Sequence, residues 1–146
     1  MKDYNPPMHT AEHILNRTMV NMFNCGRAFS SHLEKKKSKC DYHFSRNLTA
    51  EEIAQITATV NATLAQHLPV SELFLGIDEA AGMVDLSKLP EQAKQERIRI
   101  VKVGDYDVCA CIGGHVKNTS EINGEFEIIS TSYENNVLRL RFRIKE

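Results

Sequence analysis

Two stretches of the chain repeat apolar residues at the spacing of a helix. Over residues 9–24 the apolar positions lie one, three or four residues apart: Ile14, Leu15, Met19, Met22 and Phe23. This spacing gathers them on one face of an amphipathic helix. Pro6 and Pro7 are expected to bound this helix on its N-terminal side, and Cys25-Gly26 is expected to end it.

The second helical stretch covers residues 50–67, with apolar residues at Ile53, Ile56, Val60, Leu64 and Leu68. Thr49 and Glu52 precede it with the spacing of a capping box. In that motif the Thr hydroxyl accepts from a backbone N–H three residues on, and the Glu carboxylate accepts from the N–H of the Thr. Pro69 is expected to stop the helix.

Shorter segments predict strands at 27–33, 39–45, 71–76, 98–103, 106–111, 126–132 and 137–144, and the last two alternate apolar and polar residues. Gly104-Asp105 and Asn135-Asn136 are expected to join the last four of these into two hairpins. A short helix or turn is expected over residues 78–83. Because strands and helices do not alternate regularly, the predicted fold class is α+β, an antiparallel sheet with helices packed on one face.

The length of 146 residues fits one domain, which we place at residues 1–146. No apolar run approaches the roughly 20 residues of a membrane helix, and the N-terminus lacks the apolar core of a signal peptide. We therefore expect a cytoplasmic protein with no membrane partner. Its cysteines are then reduced and available for metal binding or catalysis.

The formal net charge of −1 argues against a protein coated in positive charge, but it allows a local basic patch. The densest such patch contains Lys35, Lys36, Lys37 and Lys39. Two interpretations are open: a solvated hairpin tip, or a contact for the phosphates of a nucleic acid.

Candidate chemistry begins with His9 and His13, which are four residues apart in the first predicted helix. This spacing places both imidazoles on one helix face, with Cβ atoms about 5–6 Å apart, so both can reach one metal ion. Far along the chain, Cys111 and His115 flank two glycines that allow a tight turn. Together the four residues form a normal ligand inventory for zinc.

Cys109 lies two residues before Cys111 and points the same way in a strand. It is a ligand, a neighbour of the ligands or a small buried hydrophobe, and we favour the buried interpretation.

His9-Thr-Ala-Glu-His13 also matches the inverted zinc-protease signature, in which Glu12 would be the general base. The distal Cys and His disfavour that reading, and Glu12 is otherwise a solvent-facing residue of the first helical turn.

Taken together, these residues resemble the editing domain shared by alanyl- and threonyl-tRNA synthetases, and most closely the short free-standing AlaX-type proteins. His9-Thr-Ala-Glu-His13 matches the family's HxxxH motif, and Cys111-Ile-Gly-Gly-His115 matches its CxxxH motif. The resemblance covers nearly the whole chain. Ser120 and Asn123 depart from the family pattern, since they replace the glycines of its TGEIG stretch.

The resemblance implies a trans-editing hydrolase that removes mischarged serine or glycine from alanine tRNA with a bound Zn²⁺. An active site for alanine excludes glycine and serine poorly, so a second site must remove them. His9, His13, Cys111 and His115 would bind the metal, with His115 completing the cage or yielding to a ligand. Thr10 would contact the serine hydroxyl, and Lys35, Lys36, Lys37 and Lys39 would guide the tRNA.

Neither the sequence nor the resemblance identifies a general base. Two alternatives remain: a non-catalytic, zinc-stabilised tRNA-binding module, and editing of serine-charged threonine tRNA.

Overall fold

The computed structural model describes residues 5–87, 89 and 97–146. In chain order, the helices and strands are α1 (Pro6–Phe23), β1 (Ser30–His32), β2 (Ser38–His43), α2 (Ala50–Leu64), β3 (Val70–Gly76), α3 (Ile77–Ala81), β4 (Arg97–Val103), β5 (Asp107–Ala110), a 3₁₀ turn (Thr119–Glu121), β6 (Glu125–Glu134) and β7 (Val137–Lys145).

The predicted start of α1 was wrong, whereas its end at Phe23 lies one residue from the predicted bound. The helix begins at Pro6, because proline is tolerated in the first turn, where its missing N–H has no helical partner. Asn5 caps this end by accepting from the N–H of Met8 at 3.1 Å. Asn24 ends the helix in the left-handed conformation, with φ of 53°. It takes the terminating role that was expected of Cys25-Gly26.

The second helix confirms the predicted capping box. Thr49 accepts from the N–H of Glu52 at 3.1 Å, and Glu52 accepts from the N–H of Thr49 at 2.9 Å. Its buried face carries Ile56, Val60 and Leu64.

The α+β class with antiparallel strands is confirmed, but the described strands form two sheets rather than one. The larger sheet has the order β1-β2-β7-β6, and the smaller has the order β3-β4-β5. The predicted hairpin turn at Asn135-Asn136 is confirmed, with φ of 52° and 64° at the two residues, as a type I′ turn requires. Residues of β7 alternate between buried and half-buried along most of the strand.

The main core lies where α1 and α2 pack against the larger sheet, around Ile14, Met19, Tyr42, Leu140 and Phe142. A smaller cluster, which includes Ala80, Ile98 and Ile100, lies between α3 and the smaller sheet. Helix α1 therefore belongs to the main core, while β5 belongs to the smaller sheet. The candidate metal ligands His9, His13, Cys111 and His115 lie where these two elements meet.

Within the described part of the chain, every helix is too short or too polar to span a membrane.

We expect Thr49→Ala to lower the free energy of unfolding by about 1 kcal/mol, because it removes the side chain that caps α2. Urea denaturation measures the change. Thr49→Ser keeps the hydroxyl and is the matched control. An Ala variant as stable as the Ser variant would show that the cap contributes little.

Candidate metal centre

The structure brings together the four residues singled out as metal ligands. His9 and His13 lie one turn apart on α1, and Cys111 and His115 lie in the loop that follows β5. One donor atom from each lies within 4.8 Å of the others. Separations of 4.0–4.9 Å between the imidazole ring centroids describe the same convergence.

Each imidazole has a polar partner at its Nδ1 atom. His9 Nδ1 lies 3.0 Å from the carbonyl oxygen of Gly114 and donates to it, since a carbonyl only accepts. His115 Nδ1 lies 2.9 Å from the hydroxyl of Thr10. His13 Nδ1 lies 3.4 Å from Oδ2 of Asp107. When these groups accept the Nδ1 proton, each ring keeps its Nε2 lone pair for a metal, and such outer partners are typical of metal-bound histidines.

Thr10 is fully buried, and both contacts of its hydroxyl lead to the loop after β5. Besides facing His115, Oγ1 accepts from the N–H of Val116 at 3.3 Å. The side chain therefore fixes the orientation of His115. Its predicted contact with a serine hydroxyl stays a prediction.

Asp107 is the charged residue on which the position of His13 depends. Its side chain is fully buried at the start of β5 and accepts from Arg17 Nε at 3.0 Å and from both terminal nitrogens of Arg27 at 2.7 and 3.1 Å. Burial alone would raise the pKa of Asp107, but the hydrogen bond from His13 and the charge of Arg27 outweigh burial and hold that pKa well below its usual value. Asp107 is therefore an anion at neutral pH.

The three histidines differ in charge because their partners differ. Burial and the positive charge of His13 lower the pKa of His9 to about 4. The same two causes lower the pKa of His115 to about 2. Burial also acts to lower the pKa of His13, but Cys109 and Asp107 more than offset this and raise it to about 10. At neutral pH and without metal, the rings of His9 and His115 are neutral, whereas His13 is protonated on both ring nitrogens and positively charged.

The two cysteines also differ. A hydrogen bond from Cys109 lowers the pKa of Cys111, and the same hydrogen bond together with burial raises the pKa of Cys109. Cys111 is thus the residue favoured as a thiolate, the form that binds metals. Cys109 is buried, as expected, and its sulfur lies 3.3 Å from His13 Nδ1. Cys109 also forms a second candidate donor group with His13 and Asp107.

The donor set of three imidazoles and one thiolate fits a zinc ion. The Cys111 Sγ to His115 Nε2 distance is 3.3 Å. Tetrahedral zinc with ligands at about 2.3 Å for sulfur and about 2.0–2.1 Å for nitrogen would place such a pair about 3.5 Å apart. The cluster could therefore hold a metal ion with little rearrangement of this pair.

The loop between Cys111 and His115 is held by Arg99 of β4. Its guanidinium donates to the carbonyl oxygen of Gly113 at 2.8 Å. Gly113 has φ of 104°, a conformation that side chains with a Cβ rarely adopt. The glycine spacing recognised in the sequence thus has a conformational reason.

A cleft of about 510 Å³ opens beside the cluster. This volume lies within the roughly 300–1,000 Å³ that is usual for small-molecule sites. Its wall contains His9, His13, Cys109 and Cys111, together with residues 27–31 and parts of α1.

Glu12 also lines this cleft, and sequence reasoning had assigned it to solvent. Its side chain is only 12% exposed, and Oε2 accepts from the hydroxyl of Ser31 at 2.5 Å. Oε1 lies 4.0 Å from Nε2 of His13. The sequence had singled out Glu12 only through the protease-like signature, which was set aside, and its contact with Ser31 was not predictable because Ser31 is distant in sequence.

The four lysines lie on the hairpin of β1 and β2. Lys35, Lys36 and Lys37 are exposed, and Lys39 is half-buried within β2. Lys35 and Lys36 line a second pocket, which also contains Arg143 of β7. Their proposed role in tRNA binding is not tested by this arrangement and stays a prediction.

Comparison with known proteins identifies a family. Residues 98–140 match the family model described as "Threonyl and Alanyl tRNA synthetase second additional domain". The chain is 32% identical over 125 residues to an alanine–tRNA ligase of Enterococcus faecalis, covering 85% of this chain and 14% of the relative. It is 34% identical over 122 residues to that of Streptococcus mutans and 34% identical over 125 residues to that of Fervidobacterium nodosum.

These relatives are covered in similar shares, 83% and 85% of this chain and 14% of each relative. The chain therefore spans about 14% of the length of the curated relatives it matches. The resemblance drawn from the two paired motifs is confirmed, and the matched part of the family model contains Cys111 and His115.

We expect Asp107→Asn to destabilise the metal-free protein by about 3 kcal/mol or more, because it leaves two guanidinium groups without their buried anion. Chemical denaturation in the presence of a chelator measures the loss. Asp105→Asn, at an exposed residue of the neighbouring turn, is the matched control and should change stability little. Equal effects of the two substitutions would contradict the role given to Asp107.

The buried His9 makes the stability of the metal-free protein depend on pH. Its pKa of about 4 in the folded chain lies below the ordinary value of 6.5, so the unfolded chain binds more protons between these pH values. The stability that neutral His9 contributes is present above pH 6.5 and is lost as pH falls towards 4.

We therefore expect the free energy of unfolding to fall more steeply over this range in the wild type than in His9→Gln, whose amide does not titrate. Denaturation curves in chelator at a series of pH values test this. Parallel pH dependences of the two proteins would refute the assigned shift.

Proposed function

We propose, from the relationship of this chain to the second additional domain of threonyl and alanyl tRNA synthetases, that it hydrolyses the ester joining a wrong amino acid to the 3′ end of a tRNA. The observation that carries the proposal is the convergence of His9, His13, Cys111 and His115, three of which line an open cleft: His9, His13 and Cys111. A cluster with no adjoining cleft would suit a structural metal site, whereas a catalytic site needs room for substrate.

Zinc is the metal we propose for this cluster, because the donor set combines imidazole nitrogens with one thiolate. When bound, zinc supplies Lewis acidity for polarising the ester. The chain contributes the orientation of the donors. The Gly114 carbonyl, the Thr10 hydroxyl and the Asp107 carboxylate keep the three rings fixed, so little rearrangement is needed during the reaction.

Glu12 gives the cleft a fixed negative group next to the cluster. Ser31 donates to one of its oxygens, and the other faces His13. The esterified amino acid carries a free α-ammonium group, which a carboxylate at this position complements in charge. We assign Glu12 to the binding of that ammonium group, which holds the ester near the metal.

For the substrate, we propose serine or glycine attached to alanine tRNA. The relatives described above are alanine–tRNA ligases, and a synthetic site built for alanine discriminates poorly against one methyl group or one hydroxyl. The family description also includes threonyl tRNA synthetases, so serine-charged threonine tRNA is the second candidate.

The decisive experiment incubates the purified protein with alanine tRNA charged with serine, glycine or alanine, and with threonine tRNA charged with serine. We expect release of serine or glycine from alanine tRNA while alanine stays attached. Faster release from threonine tRNA would favour the second candidate. Inertness towards every mischarged tRNA would refute the deacylase proposal, and tight binding without release would support a non-catalytic tRNA-binding module.

We expect Cys111→Ala to lower the deacylation rate by at least about 100-fold, because loss of an outer partner alone typically costs about 10–100-fold in metal affinity or activity. Zinc content by elemental analysis should fall in parallel. The matched control is Cys25→Ala, a half-buried cysteine at the end of α1. Full activity of the Cys111→Ala variant would show that the Cys111 thiolate has no role in the reaction.

A further inference from the structure

The cleft beside the candidate metal centre contains an aromatic side chain that the proposed chemistry does not use. Phe29 lies just before β1 and lines the same cleft as His9, His13 and Cys111. Phe29 is 40% exposed and is one of only six exposed large apolar residues in the part of the chain that the structure describes. A single exposed phenylalanine is ordinary on a protein surface. In the wall of a cleft, however, its exposed ring surface is available to a bound ligand.

Phe29 is held rigidly on one side. Its ring stacks on the imidazole of His43 in β2, with the centroids 4.1 Å apart and the planes 14° from parallel. Its backbone N–H donates to the carbonyl oxygen of Asp41 in the same strand at 2.9 Å. One face of the ring is therefore covered and its orientation is fixed, while part of its surface stays open to the cleft.

A rigid, half-covered aromatic ring is a platform for another flat ring. Proteins that bind single-stranded nucleic acids stack bases on such side chains, and this contact does not depend on base pairing. Ser30 and Ser31 follow Phe29 in the cleft wall and provide hydroxyl groups beside it. An amino acid bound at the His/Cys cluster would place its attached ribose and base in the rest of the cleft, whose wall includes Phe29.

We propose that Phe29, backed by His43, is the stacking platform for the nucleobase at the 3′ end of the tRNA. The inference rests on the proposed function, since it takes the occupant of the cleft to be an aminoacylated RNA end. It assigns two groups of residues in the cleft wall to different parts of one substrate. The His/Cys cluster faces the ester, and the Phe29–His43 pair holds the base.

The other exposed phenylalanine of similar accessibility provides a matched control. Phe74 of β3 is 46% exposed, and its ring lies 5.4 Å from the guanidinium carbon of Arg97. It sits in the smaller sheet, opposite Arg99 in the strand register. Phe74→Ala removes as much aromatic surface as Phe29→Ala without changing the Phe29–His43 pair.

The test combines two substrates with the variant proteins. One substrate is the 3′-seryl ester of adenosine, and the other is the seryl ester of ribose without a base. We expect Phe29→Ala to raise KM for the adenosine ester by about 5- to 150-fold with little change in kcat, the range that base–aromatic stacking provides. KM for the ribose ester should stay unchanged. Phe29→Tyr should keep the wild-type KM, and Phe74→Ala should match the wild type on both substrates.

Equal rises in KM for the two esters in Phe29→Ala would overturn the proposal, because the ring would then shape the cleft without contacting the base. The same conclusion follows if neither KM changes.

A binding measurement distinguishes failure of the deacylase proposal from failure of the stacking proposal. The probe is 3′-serylamido-3′-deoxyadenosine, whose amide resists hydrolysis, titrated calorimetrically into the wild type and Phe29→Ala. Weaker binding to Phe29→Ala supports the platform even if the wild type hydrolyses no ester. Equal binding, or no binding to the wild type, refutes it.

Discussion

The site depends on the docking of the first turns of α1 onto the segment around β5, which lies about a hundred residues further along the chain. Two side-chain contacts, His9 with Gly114 and Thr10 with His115, join residues 105 positions apart. Closing so long a loop costs conformational entropy, which local contacts cannot offset. The buried ion pairs of Asp107 with Arg17 and Arg27 hold the same two regions together. The packing of α1 and the geometry of the candidate site therefore depend on one interface.

The outer partners of the histidines also set the charge of the cluster. Three imidazoles this close cannot all be protonated without strong repulsion. A neutral carbonyl and a hydroxyl face His9 and His115, while the anionic Asp107 faces His13. The one additional proton is thus localised on His13 in the metal-free protein, and a metal ion bound at the proposed site would displace it. The thiol of Cys109 donates towards Cys111, which lowers the pKa of Cys111 and raises that of Cys109, so the negative charge is favoured on only one of the two sulfurs.

The sequence was most informative where a local rule decides the structure. The capping box of Thr49 and Glu52 and the Asn135-Asn136 turn are short-range features, and both are present as predicted. The four candidate ligands were found because two motifs with restricted spacing occur in one chain. Asp107 and Glu12 were missed as site residues because their partners, His13 with Arg27 and Ser31 respectively, are set by tertiary contacts. The division into two sheets was missed for the same reason, since strand patterns do not specify which hairpins join.

The cleft adds a constraint that the ligand motifs do not contain. The metal site proposed for His9, His13, Cys111 and His115 would account for reaction at an ester, but many esters would satisfy it. Discrimination requires contacts at a distance from the reacting bond, and remote contacts of this kind contribute to catalysis by positioning the substrate. Phe29 comes from the strand pair of the larger sheet, whereas Cys111 follows the last strand of the smaller one. The relative placement of the two sheets across α1 therefore sets the distance between the bond to be broken and the group to be recognised.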